Sequence, residues 1–547
     1  MQPGASILRQ ALTKWHPVGF KISKGSAPIN RRNFLCQSSL ATLAIAGGLP
    51  GMSWAVRGNQ LHIRNYNDIV TLDPPFMVSG AEAVVAKAML QCLVQFQRNG
   101  TWDTEPDAAE YFRQIDDTHY DFRLKPGQMF SNGFGEMTAD DVKFSYERMI
   151  DPNRNALNSV DMGPLSHVQV HDRYSGTLVL NAPYAAFLTI AVAGSSGAIL
   201  SRKAMESVGG RFNIEPPSSS GPYVFRQWQA KRKTVLERNP LWKGPDAAFD
   251  EIHIYAMTDN KAAETAFEAG QLNCAQISVE STDPFRKNMP PNSHLELYPS
   301  GRNYWLGMNQ DNPSLQDIKV RQAIQWGIDV NAVVEAAWFG LAEPATGPIP
   351  RGMLGYREKT LVPPQGDPDK ARALLKEAGV ELPLRLRLDV NNDSLELTAV
   401  QVMQWSLKKV GIEVSIHAQD NGSFLNIGSE AAGDQWQDVQ LFFQSFVGGG
   451  DPYYALVWWI KEQLGVWNWE RFSSDEFDRL NHKALATTNE PERERMYWRM
   501  QDLLEESGSF RFITNGVMPQ ITRNTIKPAF LPDGYPILRG FRPVQPA

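Results

Sequence analysis

The stretch FRLKPGQMFSNGFGEMTADDVKFSYERM, residues 122–149, decides the fold. With THYD before it, its first part alternates apolar and polar residues as a half-buried strand does. Two turns follow, Lys125-Pro126-Gly127 and Ser131-Asn132-Gly133, both made of residues that tolerate a sharp backbone. A helix start comes next, with Thr138 in the N-cap position and Asp140 and Asp141 in the first turn, where the helix dipole favours acids. Strand, turns and capped helix in so short a span predict a mixed α/β chain.

Working outward, the same alternation continues without an internal repeat or low-complexity tract. QLHIRNY from Gln60, TVLERNPLW, DEIHIYAM and DVQLFFQSF read as strands. GAEAVVAKAMLQCLVQF from Gly80 has helical apolar spacing throughout, and DNKAAETAFEAGQLN reads as a helix stopped near Gly270. DPDKARALLKEAG is a helix punctuated by Asp367 before Pro368 and by Gly379 at its end. LTAVQVMQWSLKKVGIEVSIHA reads as a long helix feeding a strand, and a last helix runs from Pro491 through Leu504.

The chain has 547 residues, 42% hydrophobic and 21% charged, enough for a large core and more than one domain. Residues 1–55 differ from the rest: Arg9, Lys14, Lys21, Lys24, Arg31 and Arg32 come with no acid, and an apolar run from Leu40 ends in Ser53-Trp54-Ala55. This order describes an export signal removed after Ala55, and RRNFL resembles the twin-arginine type. The run is too short and too rich in glycine to stay in a membrane as a span. Removing the segment takes six positive charges away and moves the formal charge from −6 to −12, which argues against nucleic acid or an anionic membrane as partner.

Motifs for chemistry are scarce. HExxH, P-loop, GxGxxG and GxSxG sequences are absent, and Ser406-Leu407-Lys408-Lys409 fits SxxK only in the middle of a helix. His167 and His171 would share one strand face, but without a third ligand nearby they read as solvated, so no metal site and no cofactor is expected. Cys92 and Cys274 both sit in apolar contexts and read as buried thiols, although export would permit a disulfide.

FFQSFVGGGDPYYALVWW, residues 442–459, is the least ordinary segment. Three glycines remove side chains where the backbone bends or something approaches closely, and aromatics follow at once. A ligand site and a tight structural turn both fit.

Several segments together resemble the large solute-binding proteins of bacterial ABC importers, the peptide/opine/nickel class (extracellular solute-binding family 5). They are Leu72-Asp73-Pro74, the 122–149 signature, SSGPYVFRQW from Ser219, ERNPLWKG, DIKVRQAIQWGIDVNAVVEAAWFGLAEPATGPIP from Asp317, and DPDKARALLKEAG, all in the family's order. The resemblance implies a periplasmic-binding-protein-like, two-lobed α/β fold with two hinge crossings near YPSGRNYW and RFITNGVMP. Lobe I would comprise 56–98, 214–298 and 518–547, an inserted subdomain 99–213, and lobe II 299–517. It implies a monomer without catalytic site that captures a peptide or peptide-like solute in the periplasm and passes it to the permease and ATPase of an importer.

In peptide-binding members an aspartate that pairs with the ligand ammonium stands shortly before the Asp-Pro. Here that position is Gly448, and Asp451 is read as a turn acid. The gap admits an opine, a sugar conjugate or another polar solute in place of a free-amine peptide, while an exported enzyme is the alternative from another class. The ligand-binding candidates are Arg302, Asn303, Tyr304, Trp305, Phe446, Gly448, Gly449, Asp451, Tyr453, Trp467 and Trp469, with core packing the competing reading for each aromatic.

Overall fold

The computed structural model describes residues 59–544 apart from Asn99 and Asp246, so the export segment expected over residues 1–55 lies outside the described residues. The deciding stretch folds as its pattern predicts. His119–Leu124 is a strand, and Asn132, Gly127 and Gly133 take the positive φ that the turns require. Ala139–Ile150 is a helix closed by a capping box, in which the Thr138 amide donates to Asp141 Oδ2 at 2.9 Å.

Three larger sheets carry the chain. Seven strands lie in the order Tyr223–Gln229, Lys233–Arg238, Glu251–Ala256, Gln60–Asn65, Cys274–Gln276, Val517–Arg523 and Ser293–Pro299. Five lie in the order Ile412–Gln419, Leu384–Asn391, Leu441–Val447, Arg302–Met308 and Phe510–Thr514. Both mix parallel and antiparallel pairs. The third sheet, of Ala109–Asp116, His119–Leu124, Ser175–Leu180 and Leu165–Val170, is antiparallel throughout.

Each sheet buries apolar side chains against helices. Leu61, Ile63 and Ile252 meet Val85 and Met89 of the helix Gly80–Met89. Leu306, Leu388 and Phe443 meet Ile324, Val334 and Met403. Phe122 and Leu178 join Tyr146 and Phe187 in a core that continues into Trp305, Trp459 and Phe512, so the four-stranded sheet and the five-stranded one share packing.

The chain passes from the seven-stranded to the five-stranded sheet between Pro299 and Arg302, and returns between Thr514 and Val517. Both crossings are two residues long and both use a glycine at positive φ, Gly301 at 62° and Gly516 at 70°. Ser300 Oγ donates to the Asn515 carbonyl at 2.8 Å and ties one crossing to the other.

One helical expectation is corrected. The helix from Gly80 ends at Met89, and Val94–Phe96 is a strand paired with Thr104–Pro106. The reason is tertiary: the amides of Ser220 and Gly221 donate to the Met89 carbonyl at 3.0 and 2.7 Å, and the Gln91 amide donates to Ser220 Oγ. A Cβ on Gly221 would stand 2.9 Å from the Met89 carbonyl, so glycine in SSGPY permits this contact. Similarly, Asp73 of the Leu-Asp-Pro segment is fully buried and accepts from both terminal nitrogens of Arg148, at 2.8 and 2.6 Å.

Cys92 and Cys274 are free, buried thiols, and burial pushes each up to about 12. His167 is exposed, while His171 Nε2 lies 2.8 Å from Thr177 Oγ1. Among the described residues no group of three His, Cys, Asp or Glu side chains could hold a metal, and no helix is long and apolar enough to cross a membrane.

Candidate ligand-binding cleft

A cavity of about 450 Å³ opens beside the first crossing, next to Arg302. One wall is a single face of the helix Gly80–Met89, on which Gly80, Ala83, Val84 and Lys87 recur at helical spacing. A second wall is the loop from Leu531 to Arg539, and the third is Arg302 with Val447 and Gly448 of the five-stranded sheet. Gly80 is needed where it stands, since a Cβ there would come within 2.9 Å of the Tyr535 ring and 3.2 Å of the Tyr66 hydroxyl. These two tyrosines meet edge-on at 6.0 Å and form part of the lining.

Charge is unevenly satisfied in this space. Asp107 and Arg539 neutralise one another through two bonds of 3.0 Å, at the partition with a neighbouring cavity of similar volume that they also line. Arg302 Nη1 donates to Ser445 Oγ at 3.1 Å. Asp533 is 9% exposed and accepts only from the Tyr535 amide, at 3.2 Å; burial pushes its carboxyl up to about 6, partly countered by that bond and by Lys87. Lys87 lies 5.1 Å from the centre of the Phe96 ring, and burial holds its ammonium below the usual lysine range.

Of the residues singled out in the sequence, Arg302 and Gly448 reach this cavity. The Gly448 amide donates to the Gly301 carbonyl at 2.8 Å, and a Cβ on Gly448 would meet only that oxygen, at 3.2 Å. Gly449 lies against the Tyr454 ring, and Gly450 is pressed to Trp102 and Phe96, at 3.1 and 3.2 Å from where its Cβ would be. None of the three has a positive φ, so close approach and not backbone strain explains them.

The other candidates on the strand of Arg302 lie outside this cavity. Tyr304 packs edge-on to Trp338 at 5.0 Å in the core of the five-stranded sheet, where burial pushes its hydroxyl up to about 12. Asn303 and Trp305 face the other way. Asn303 is buried and its Oδ1 has no partner. Trp305 is fully buried, packs at a tilt against Phe446 and edge-on against Trp459, and donates from Nε1 to Glu470 Oε1 at 2.5 Å. Phe446 is enclosed by Trp305, Trp458 and Trp467, and Trp469 is buried against Phe442 and Phe424.

Tyr453 and Asp451 are buried as well. Arg493 Nη2 donates to both Asp451 oxygens, at 2.7 and 2.9 Å, and the Tyr453 amide donates to Oδ1 at 2.9 Å, so this acid closes a turn. The next residue, Tyr454, donates its hydroxyl to Asp161 at 2.6 Å and fastens the turn to the segment after the four-stranded sheet's partner helix. Expected as walls of a ligand site, Tyr304, Trp305, Tyr453 and Trp469 lie in packed cores in this structure because large aromatics on either face of a central strand are covered by helices.

Sequence reasoning missed Lys87, Asp533, Tyr66 and Tyr535. Lys87 carried a usable signal, a cation on the apolar face of the helix from Gly80. Asp533, in Leu-Pro-Asp-Gly-Tyr, reads as an ordinary turn acid and carried none.

Two α/β bodies joined by two short crossings, with a ligand-sized cleft beside the first, define the periplasmic-binding-protein class of fold. The described chain superposes on the ABC transporter-associated periplasmic binding protein DppA of Helicobacter pylori, solved with the peptide STSA, with a TM-score of 0.70 at 23% identity, covering 88% of this chain and 97% of that one. The chain belongs to the bacterial extracellular solute-binding proteins, family 5, whose middle-region model matches residues 103–465. It is 26% identical over 501 residues to the probable D,D-dipeptide-binding periplasmic protein DdpA of Escherichia coli K12, covering 88% of this chain and 93% of that protein. It is 27% identical over 482 residues to the glutathione-binding protein GsiB of Salmonella paratyphi A, covering 86% and 91%.

Proposed function

We propose that this protein is the substrate-binding component of an ABC importer and captures a peptide or peptide-like solute in the cleft beside the first crossing. Lobe I is read as residues 56–98, 214–298 and 518–547, the inserted subdomain as 99–213 and lobe II as 299–517. Residues 1–55 act as the export signal, and the remaining protein works as a soluble periplasmic monomer. Rotation about Gly301 and Gly516 closes the lobes on the ligand, and the closed form is what permease and ATPase subunits receive. Ligand must bind the closed form better than the open one, since equal affinity would shift nothing.

The observation that carries this reading is the cleft itself. It is walled by the helix Gly80–Met89 and the loop Leu531–Arg539 on one side and by Arg302 and Val447 of the five-stranded sheet on the other, it lies beside the first crossing, and its polar groups are few and of both signs. The relatives' names, D,D-dipeptide and glutathione, describe small peptides with free charged ends and support the same class.

The test is a thermal-shift and calorimetric screen of the purified protein with L- and D-dipeptides, tripeptides, glutathione, opines and oligosaccharides. Binding to the native state alone raises the melting temperature with the logarithm of ligand concentration above Kd. A saturable rise with a di- or tripeptide is expected. A response confined to oligosaccharides or opines, or turnover of a peptide without any partner, would overturn it.

A further inference from the structure

Two charges of opposite sign, a buried Asp533 and a half-buried Lys87, face the cleft from different walls, and among the described residues neither has an ion-pair partner. Lys87 projects from the helix Gly80–Met89, and among the described residues it has no hydrogen-bond or ion-pair partner, only the Phe96 ring. Asp533 projects from the loop opposite, beside the crossing: a Cβ on Gly301 would stand 3.1 Å from the Asp533 Cβ. Among the described residues its Oδ1 takes a bond from the Tyr535 amide, and no cation lies within ion-pair distance of either oxygen. Of the other charges in the cavity, Asp107 and Arg539 pair with each other, and Arg302 donates to Ser445 Oγ at 3.1 Å.

A buried charge left unpaired is costly, and Lys87 and Asp533 are not within ion-pair distance of one another. Each is therefore a charge that awaits a counter-charge from the ligand. We propose that the cleft selects a short zwitterion, with Asp533 receiving the ligand's ammonium and Lys87 its carboxylate. This rests on the peptide-capture reading and deepens it. Gly448 contributes no side-chain acid at the neighbouring wall, and Asp533 supplies the negative charge from the opposite one.

Tyr66 and Tyr535 line the same cavity and add aromatic surface for the ligand's apolar part. A cavity of about 450 Å³ holds a dipeptide or tripeptide and leaves no room for a long chain lying wholly inside it. A blocked amine would place an uncharged amide against Asp533 and leave the carboxylate without its partner.

The experiment compares Ala-Ala, N-acetyl-Ala-Ala and Ala-Ala amide, each in L and D form, by titration calorimetry against the wild-type protein, D533N and K87M, with thermal melts to check folding. Wild type should prefer the free dipeptide over either blocked form by about 30-fold, the loss typical when one member of a buried charge pair is removed. D533N should weaken the free dipeptide by a similar factor and lose the discrimination against acetylation. K87M should lose the discrimination against the amide instead. Equal weakening of free and blocked forms by D533N would overturn the pairing. Equal wild-type affinity for free and blocked forms would overturn the zwitterion proposal while peptide capture stands, and no binding of any form would overturn both. A variant that fails to fold leaves the wild-type comparison of the three ligands to decide.

Discussion

Arg493 holds both oxygens of Asp451 through a single nitrogen, at 2.7 and 2.9 Å, with both side chains nearly excluded from solvent. The acid that directly follows the three glycines is therefore committed to its own turn. Removing one partner leaves a buried charge without compensation and costs about 3–5 kcal/mol. Asp451→Ala should lower unfolding free energy by that order in urea titrations. Asp451→Ala with Arg493→Met should lose less than the two single changes added together, because the pair is coupled.

The return crossing has little tolerance. Gly516 sits at φ 70°, and a Cβ there would meet Ser300 Oγ at 2.5 Å, the hydroxyl that joins the two crossings. Gly516→Ala should cost about 1–2 kcal/mol from the left-handed backbone alone, with the displaced hydroxyl adding to it. Chemical denaturation measures the loss, and Gly433→Ala is the control, since it has a positive φ but open space around it.

Stability should fall as pH rises through neutrality. Burial raises the Glu470 carboxyl from 4.5 to about 8, against the Trp305 bond, and burial with Asp393 raises Glu396 from 4.5 to about 7. An acid whose pKa is higher folded than unfolded stabilises the fold fully below the unfolded value. That contribution is lost as pH climbs through the folded value. The melting temperature should thus decline between pH 5 and pH 9 (about one folded-state titration each), and Glu470→Gln should flatten the decline. An unchanged slope in that variant would contradict the assignment.

Ligand affinity should respond to pH through Asp533, whose carboxyl is pushed up to about 6. An ammonium needs the ionised form, so affinity for a free dipeptide should fall toward tenfold per unit below that value. Lys87, Arg302, Asp107, Arg539 and Tyr535 also face this space, and the Asp533 substitution separates its contribution from theirs. Asp533→Asn should remove the acid limb, as read by calorimetry between pH 4.5 and pH 7.5, about a unit and a half either side.

A gain-of-charge variant tests the geometry from the other wall. Gly448 borders the cleft, and a side chain there would meet only the Gly301 carbonyl, at 3.2 Å. Gly448→Asp should fold and, combined with Asp533→Asn, should recover about tenfold of the lost affinity for Ala-Ala, which corresponds to about 1.4 kcal/mol. No recovery would place the ligand ammonium away from both positions.

Much of the architecture was legible in the chain. The crossings near 300–301 and 515–516 followed from the family resemblance, whereas the strand, turns and capped helix of residues 119–150 and the Asp367 and Gly379 punctuation depend on neighbours a few residues apart. Such local rules act through the same backbone that the sequence spells out. The end of the helix at Met89 was not legible, because its last carbonyl is taken by Ser220 and Gly221, more than a hundred residues on. Nor was the division of the aromatics. Half-buried Tyr304 and fully buried Trp305 lie on opposite faces of one strand, and the elements packed above and below decide that neither reaches the cleft.

Sequence by itself determined the class of fold and the order of its elements, since hydrophobic period, caps and turns are encoded within short windows. Tertiary structure alone decided the site. Lys87 and Asp533 lie more than four hundred residues apart, and each is unremarkable in its own segment. They gain meaning from lining one cavity without an ion-pair partner among the described residues, and such surroundings, unlike periodicity, depend on everything packed around a side chain.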